Sequence, residues 1–168
     1  GHPMIALSRR RALTLLGAGA LSAAATTAAF AAVSGPPPVR ALKITVLSTM
    51  LADVGLGDWG YSALVEVDGR KLLFDTGAQP DVVLANAREM KIDLAQVETV
   101  VLSHNHDDHT GGLVSLRRAL MAADPRAVAN AHLGAGALSP RLDGHGVDHN
   151  SLPAKRAAYE ALGGHWVE

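Results

Sequence analysis

The segment Ser103-His104-Asn105-His106-Asp107-Asp108-His109-Thr110-Gly111-Gly112 places three histidines and two aspartates within six residues. Imidazole nitrogens and carboxylate oxygens at this density are what a metal site requires, and the chemistry they imply is metal-assisted hydrolysis. Were the chain to stay extended here, side chains two apart would share one side, so His104, His106 and Asp108 would point one way and His109 another. His104 and His106 can then converge on one ion, while Asp108 and His109 are placed to serve a second a few ångströms away. Neutral imidazole and carboxylate suit zinc, and also iron or manganese; with no cysteine in the chain, all-thiolate structural sites are excluded. A solvated turn of surface histidines is the competing reading. The apolar run before the cluster and the Gly-Gly helix entry after it favour an open catalytic site.

The flanking residues supply the elements that must position this loop. The run 97–102 is β-branched and apolar, and reads as a strand buried on both faces. Strands are expected over 42–47 and 61–67, with Asp68-Gly69 turning the second into a partner strand over 71–74. Pro80 and the apolar positions Val82, Val83, Leu84, Ala87 and Met90 predict a helix over 80–91. Leu113, Leu116, Leu120 and Met121 recur at helical spacing, and Asp124-Pro125 ends that helix. A last helix is expected over 153–162, stopped by Gly163. The glycine-rich stretch 54–60 lacks the lysine and following helix of a phosphate loop. It reads as a substrate-side loop, with Trp59 either an apolar wall or a packed aromatic.

The segments Leu72-Leu73-Phe74-Asp75-Thr76-Gly77 and Val100-Val101-Leu102-Ser103-His104-Asn105-His106-Asp107-Asp108-His109-Thr110-Gly111-Gly112-Leu113 resemble the metallo-β-lactamase superfamily. The Thr-Gly-Gly-Leu flank is similar to its ribofuranosylaminobenzene-phosphate-synthase-like branch. The resemblance implies an α/β fold, the N-terminal half of an αββα sandwich with a mixed sheet and flanking helices. It implies that His104 and His106 ligate one metal and Asp108 with His109 the other, two zinc ions being the expected cofactor. A hydroxide bridging the ions would attack an ester, lactone, thioester, amide or phosphoester bond, with Asp108 orienting that nucleophile. Asp75 matches the family's aspartate that hydrogen-bonds around the metal loop, the alternative being an ordinary turn residue. Asp107 is expected to be a solvated or loop-capping neighbour.

The family completes its site with a further His, a bridging Asp and a last His from the second half of the sandwich. Here the downstream candidates are His132 after the run 127–129, His145 and His149 in a Gly- and Asp-rich loop, and His165 after Gly163-Gly164; none is assigned as a ligand. The expectation is a domain over 41–168 that is the N-terminal part of a larger hydrolase, since roughly 130 residues fall short of a two-layered sandwich. Arg9-Arg10-Arg11 before an uncharged stretch from Ala12 to Val33, ending in Ala29-Phe30-Ala31, resembles a twin-arginine export signal over 1–31. An uncleaved membrane anchor is the alternative. Gly1-His2-Pro3 ahead of Met4 reads as an expression remnant, and 32–40 as a Pro-rich linker. The protein is therefore expected to be exported, periplasmic or secreted, with no stable membrane span after cleavage. Discounting the three leader arginines takes the formal charge from −1 to −4. That excludes a basic nucleic-acid surface and leaves a small-molecule substrate. Two further functions stay open: an iron-dependent oxidoreductase on the same fold, and a non-catalytic metal-binding fragment. Neither the substrate nor the oligomeric state is set by the sequence.

Overall fold

Asp68 and Gly69 both take positive φ, 48° and 83°, as a two-residue hairpin turn matched to the strand twist requires. They join β2 (Ser62–Val67) to β3 (Arg70–Phe74) in the expected antiparallel hairpin. The computed structural model describes residues 37–168. The export signal expected over 1–31, and the linker as far as residue 36, lie outside the described residues. β1 (Leu42–Ser48) pairs antiparallel with β2, with an irregularity between Val46 and Ser48. β4 (Thr99–Leu102), β5 (Asn130–Leu133) and β6 (His165–Val167) then add in parallel, giving one six-stranded mixed sheet in chain order.

Chain order decides where the helices go. Each parallel connection steps the same way across the sheet, and such crossovers are nearly always right-handed, so their helices fall on one face. These are α1 (Val82–Glu89) between β3 and β4, α2 (Asp107–Thr110) and α3 (Leu113–Leu120) between β4 and β5, and α4 (Leu152–Glu160) between β5 and β6. Val83, Ala87, Leu113, Leu116, Leu152 and Tyr159 from the helices meet Leu47, Leu64, Leu73, Val100, Leu102 and Ala131 from the strands in one buried core. The opposite face carries no helix among the described residues. There Leu42, Ile44 and Val46 are 61%, 56% and 43% exposed, beside half-buried Val65, Val67, Leu72, Phe74 and Val101.

The central strand therefore departs from expectation. It begins at Thr99, and only the Val100 and Leu102 face is fully buried, Thr99 and Val101 being half-covered. An apolar run reports low polarity on both sides of a strand without reporting what covers each side. The run 127–129 is not a strand: Val128 takes φ 49°, rare for a β-branched residue. It is buried, with its N–H on the Val97 carbonyl (2.6 Å) and its own carbonyl accepting from the Tyr159 hydroxyl (2.7 Å). Arg117, also buried, donates to the carbonyls of Pro125 and Ala127, 2.7 Å each, so this turn is bound to α3 and α4 alike. Gly163, at φ 71°, stops the last helix as expected.

Candidate metal centre

The donor loop leaves the carboxyl end of β4, in the middle of the sheet. Its chain does not stay extended: His106 is the N-cap of α2, and Asp107 begins the helical turn. Three expected donors still converge. His104, His106 and Asp108 each offer a ligand atom, all within 4.8 Å of one another. Among the described residues this is the one group of three His, Asp or Glu side chains that could hold a metal ion. Asp108 lies with the first pair of histidines, as alternation also had it, but arrives there by the turn of a helix. His109 lies alongside, its ring centroid 4.1 Å from that of His104 and its Nε2 3.5 Å from Asp108 Oδ2.

One buried carboxylate orients the imidazoles. Asp75 is fully buried at φ 57°, and its side chain accepts the Ser103 N–H (2.7 Å), the Ser103 hydroxyl (2.7 Å) and His109 Nδ1 (2.7 Å). A carboxylate can only accept, so His109 carries its proton on Nδ1 and leaves Nε2 free. The single Ser103 proton is committed to Asp75. His104 Nδ1, 2.9 Å from the Ser103 oxygen, must then donate, which frees His104 Nε2 as well. Burial, followed by the neighbouring His109 and His106 rings, pushes the His104 imidazole below its ordinary pKa, against the opposing pull of Asp75 and Asp108. This favours the neutral form that ligates metals.

The backbone around the loop is closely bound. Thr76 donates its N–H (2.8 Å) and hydroxyl (3.0 Å) to the His109 carbonyl, and the Gly111 N–H reaches the Gly77 carbonyl at 2.9 Å. A Cβ at Gly111 would collide with the Ala78 carbonyl oxygen, and one at Gly112 with that of Thr76. The Thr-Gly-Gly flank is thus set by the close approach of two backbones. On α2, Thr110 returns its hydroxyl to the His106 carbonyl at 2.9 Å. Asp107 is no merely solvated neighbour: hydrogen bonds from Lys155 and then Ser151 hold its carboxyl below the usual carboxylate range.

A shallow cleft of about 190 Å³ adjoins the donors, lined by Thr49, Met50, Trp59, Gly60, Tyr61, Asp108 and His109. Trp59 is 70% exposed, which favours the wall reading over the packed one. The loop that carries it is anchored by buried Asn86, whose amide donates to the Leu47 and Leu56 carbonyls (2.8 Å each) and accepts the Leu56 N–H (2.7 Å). A second, apolar cleft of about 260 Å³ lies beyond that loop and includes none of the donors.

The downstream histidines stay apart from the group. His132 sits within β5 beside Val101, and His165 is exposed at the start of β6. His145 and His149 lie in an exposed loop, where His149 Nε2 pairs with Asp143 at 2.9 Å. Ser103 and Lys155 escaped the sequence reading. The hydroxyl next to the first histidine was a signal for Ser103; for Lys155 there was none, because its partner lies 48 residues away.

Comparisons with known proteins bear on the family. The chain is 31% identical over 134 residues to the 7,8-dihydropterin-6-methyl-4-(beta-D-ribofuranosyl)-aminobenzene-5'-phosphate synthase of Methanocaldococcus jannaschii, the match covering 75% of this chain and 45% of that protein. The chain thus spans less than half the length of this relative. Among solved structures, the short form of human tRNase Z aligns with a TM-score of 0.44 at 19% identity, over 55% of this chain and 34% of that one. A diphosphatase of the PhnP family aligns at 0.43 and 19%, over 76% and 51%. The family model described as the metallo-beta-lactamase superfamily matches residues 57–166, from the cleft wall through the donor loop to β6, and the chain belongs to that superfamily.

Proposed function

We propose that this chain carries the first half of a divalent-metal centre, zinc before iron or manganese, and serves a hydrolase acting on an ester, lactone, thioester, amide or phosphoester bond of a small molecule. The observation that carries this reading is the convergence of His104, His106 and Asp108 within 4.8 Å. Two nitrogens and an oxygen fit a cation that accepts mixed ligands and keeps a position open for water. His104, His106 and Asp108 would hold one cation, and His109 Nε2 is the donor left for a second. A bound metal of this kind supplies a Lewis acid and lowers the pKa of its water toward neutrality. Asp75 keeps the His104 and His109 rings turned toward the centre, directly and through Ser103. Asp108 offers a carboxylate oxygen to orient the attacking water. Trp59, Met50 and Tyr61 form the wall against which the substrate's apolar part would rest.

Zinc titration of the full chain tests this, followed by turnover of p-nitrophenyl esters and bis-p-nitrophenyl phosphate. The expected result is zinc binding abolished by the double substitution His104→Ala with His106→Ala, with turnover that follows the metal. One redox-active iron per chain with oxygen uptake would favour the oxidoreductase, and zinc binding without turnover the non-catalytic reading. Export is proposed from the Arg9-Arg10-Arg11 leader alone. N-terminal sequencing of the periplasmic form, starting after Ala31, is the supporting result.

A further inference from the structure

Leu152, Lys155 and Tyr159 recur at i, i+3 and i+7 on α4, so all three share one face of that helix. Leu152 and Tyr159 are fully buried in the core. A lysine in such a stripe needs partners for its ammonium group, because a desolvated charge is otherwise strongly unfavourable. Lys155, with its side chain 20% exposed, finds them on the donor loop: Asp107 Oδ1 at 2.5 Å and Thr110 Oγ1 at 2.8 Å.

Those partners are the first and last residues of α2, the four-residue turn that contains Asp108 and His109 and follows His106. A helix that short does not hold its own shape. Thr110 in turn binds the His106 carbonyl, and the Ser151 hydroxyl also bonds Asp107. Asp107 is 60% exposed, so as a surface ion pair this contact would count for little. Its placement gives it another use. We infer that Lys155 is a positioning residue of the metal centre: by joining Asp107 to Thr110 it fixes the turn that presents His106 and Asp108 as a pair. This rests on the metal-binding reading above.

The test is zinc affinity of the full chain, measured against a chromophoric chelator, together with the d–d absorption of the cobalt-loaded form. Lys155→Met keeps the packed stem and removes the ammonium. It should lower zinc affinity about tenfold, as loss of an outer partner of a ligand commonly does, and alter the cobalt spectrum. Lys155→Arg should recover most of the affinity. Adding Asp107→Asn to Lys155→Met should cost nothing further, because both remove one interaction. If Lys155→Met does not fold, Asp107→Asn alone leaves α4 packing intact and should show the same tenfold loss. Zinc binding by the wild type with unchanged affinity and cobalt spectrum in Lys155→Met, or in Asp107→Asn, overturns this inference and leaves the metal reading standing. A wild-type chain that takes up no zinc overturns both.

Discussion

Residues 103–109 and 143–149 are both rich in histidine and aspartate, yet the fold treats them differently. The first loop begins at a central strand end, and its polar groups are bonded to distant parts of the chain: Tyr61, Asp75, Thr76, Ser151 and Lys155. In the second, Asp143 accepts the N–H groups of His145 (2.8 Å) and Val147 (2.9 Å) and pairs with His149, all within six residues of itself. Its hydrogen bonds are local, and no group of three donors converges there. Composition is alike; what separates the loops is a buried carboxylate beneath one of them, which spends its hydrogen bonds on fixing ring orientation.

Removing that carboxylate should erase the difference. Asp75→Ala leaves the Ser103 N–H, the Ser103 hydroxyl and His109 Nδ1 without their buried acceptor, so we expect about 3 kcal/mol of lost stability in urea unfolding and about a 100-fold loss of zinc affinity. Retained affinity would mean the loop is organised by its own backbone. Gly111→Ala attacks the close approach instead. It should cost about 2 kcal/mol by forcing two backbones apart, and thermal melts without metal should already show the loss.

Much of this was readable beforehand, and the failures have physical causes. The hairpin at Asp68-Gly69, the helix expected over 80–91 and found at Val82–Glu89, and the stop at Gly163 follow from local turn chemistry and periodicity, whereas the helix from Leu113 ends at Leu120, ahead of Asp124-Pro125. The donor residues were legible because their types are rare at that density. That His104, His106 and Asp108 share one side was legible from alternation, but the change from extended chain to helix at Asp107, which carries Asp108 there, was not. The sheet face left without a helix among the described residues was not legible, because Ile44, Val65 and Leu72 read as core whether or not anything covers them. Asp75 was found only through resemblance. Its buried site is made by Ser103 and His109, 28 and 34 residues further on.

Two smaller tests sharpen the comparison. Ser103→Ala breaks the relay from Asp75 to His104 while leaving His109 bound, and should lower zinc affinity about tenfold with stability changed by about 1 kcal/mol. An equal loss to that of Asp75→Ala would place the whole effect on the hydroxyl. At the other loop, His145→Ala with His149→Ala should leave zinc stoichiometry unchanged and stability within about 0.5 kcal/mol. Hydrogen bonds from His149, Val147 and His145 hold the Asp143 carboxyl below its ordinary value. That contribution is present above the unfolded carboxylate pKa and disappears as pH falls through the lowered folded one. Amide exchange in 143–149 should therefore accelerate only below about pH 4.

The wall of the donor cleft has a practical use. The chain has two tryptophans. Trp166 rests edge-on against Tyr159, with its indole nitrogen buried, whereas Trp59 stands in solvent beside Asp108 and His109. Their emission should separate by colour and by access to a dissolved quencher. Iodide would reach Trp59 and spare Trp166, so the red-shifted, quenchable part of the fluorescence reports on the cleft alone. A ligand entering there would announce itself optically.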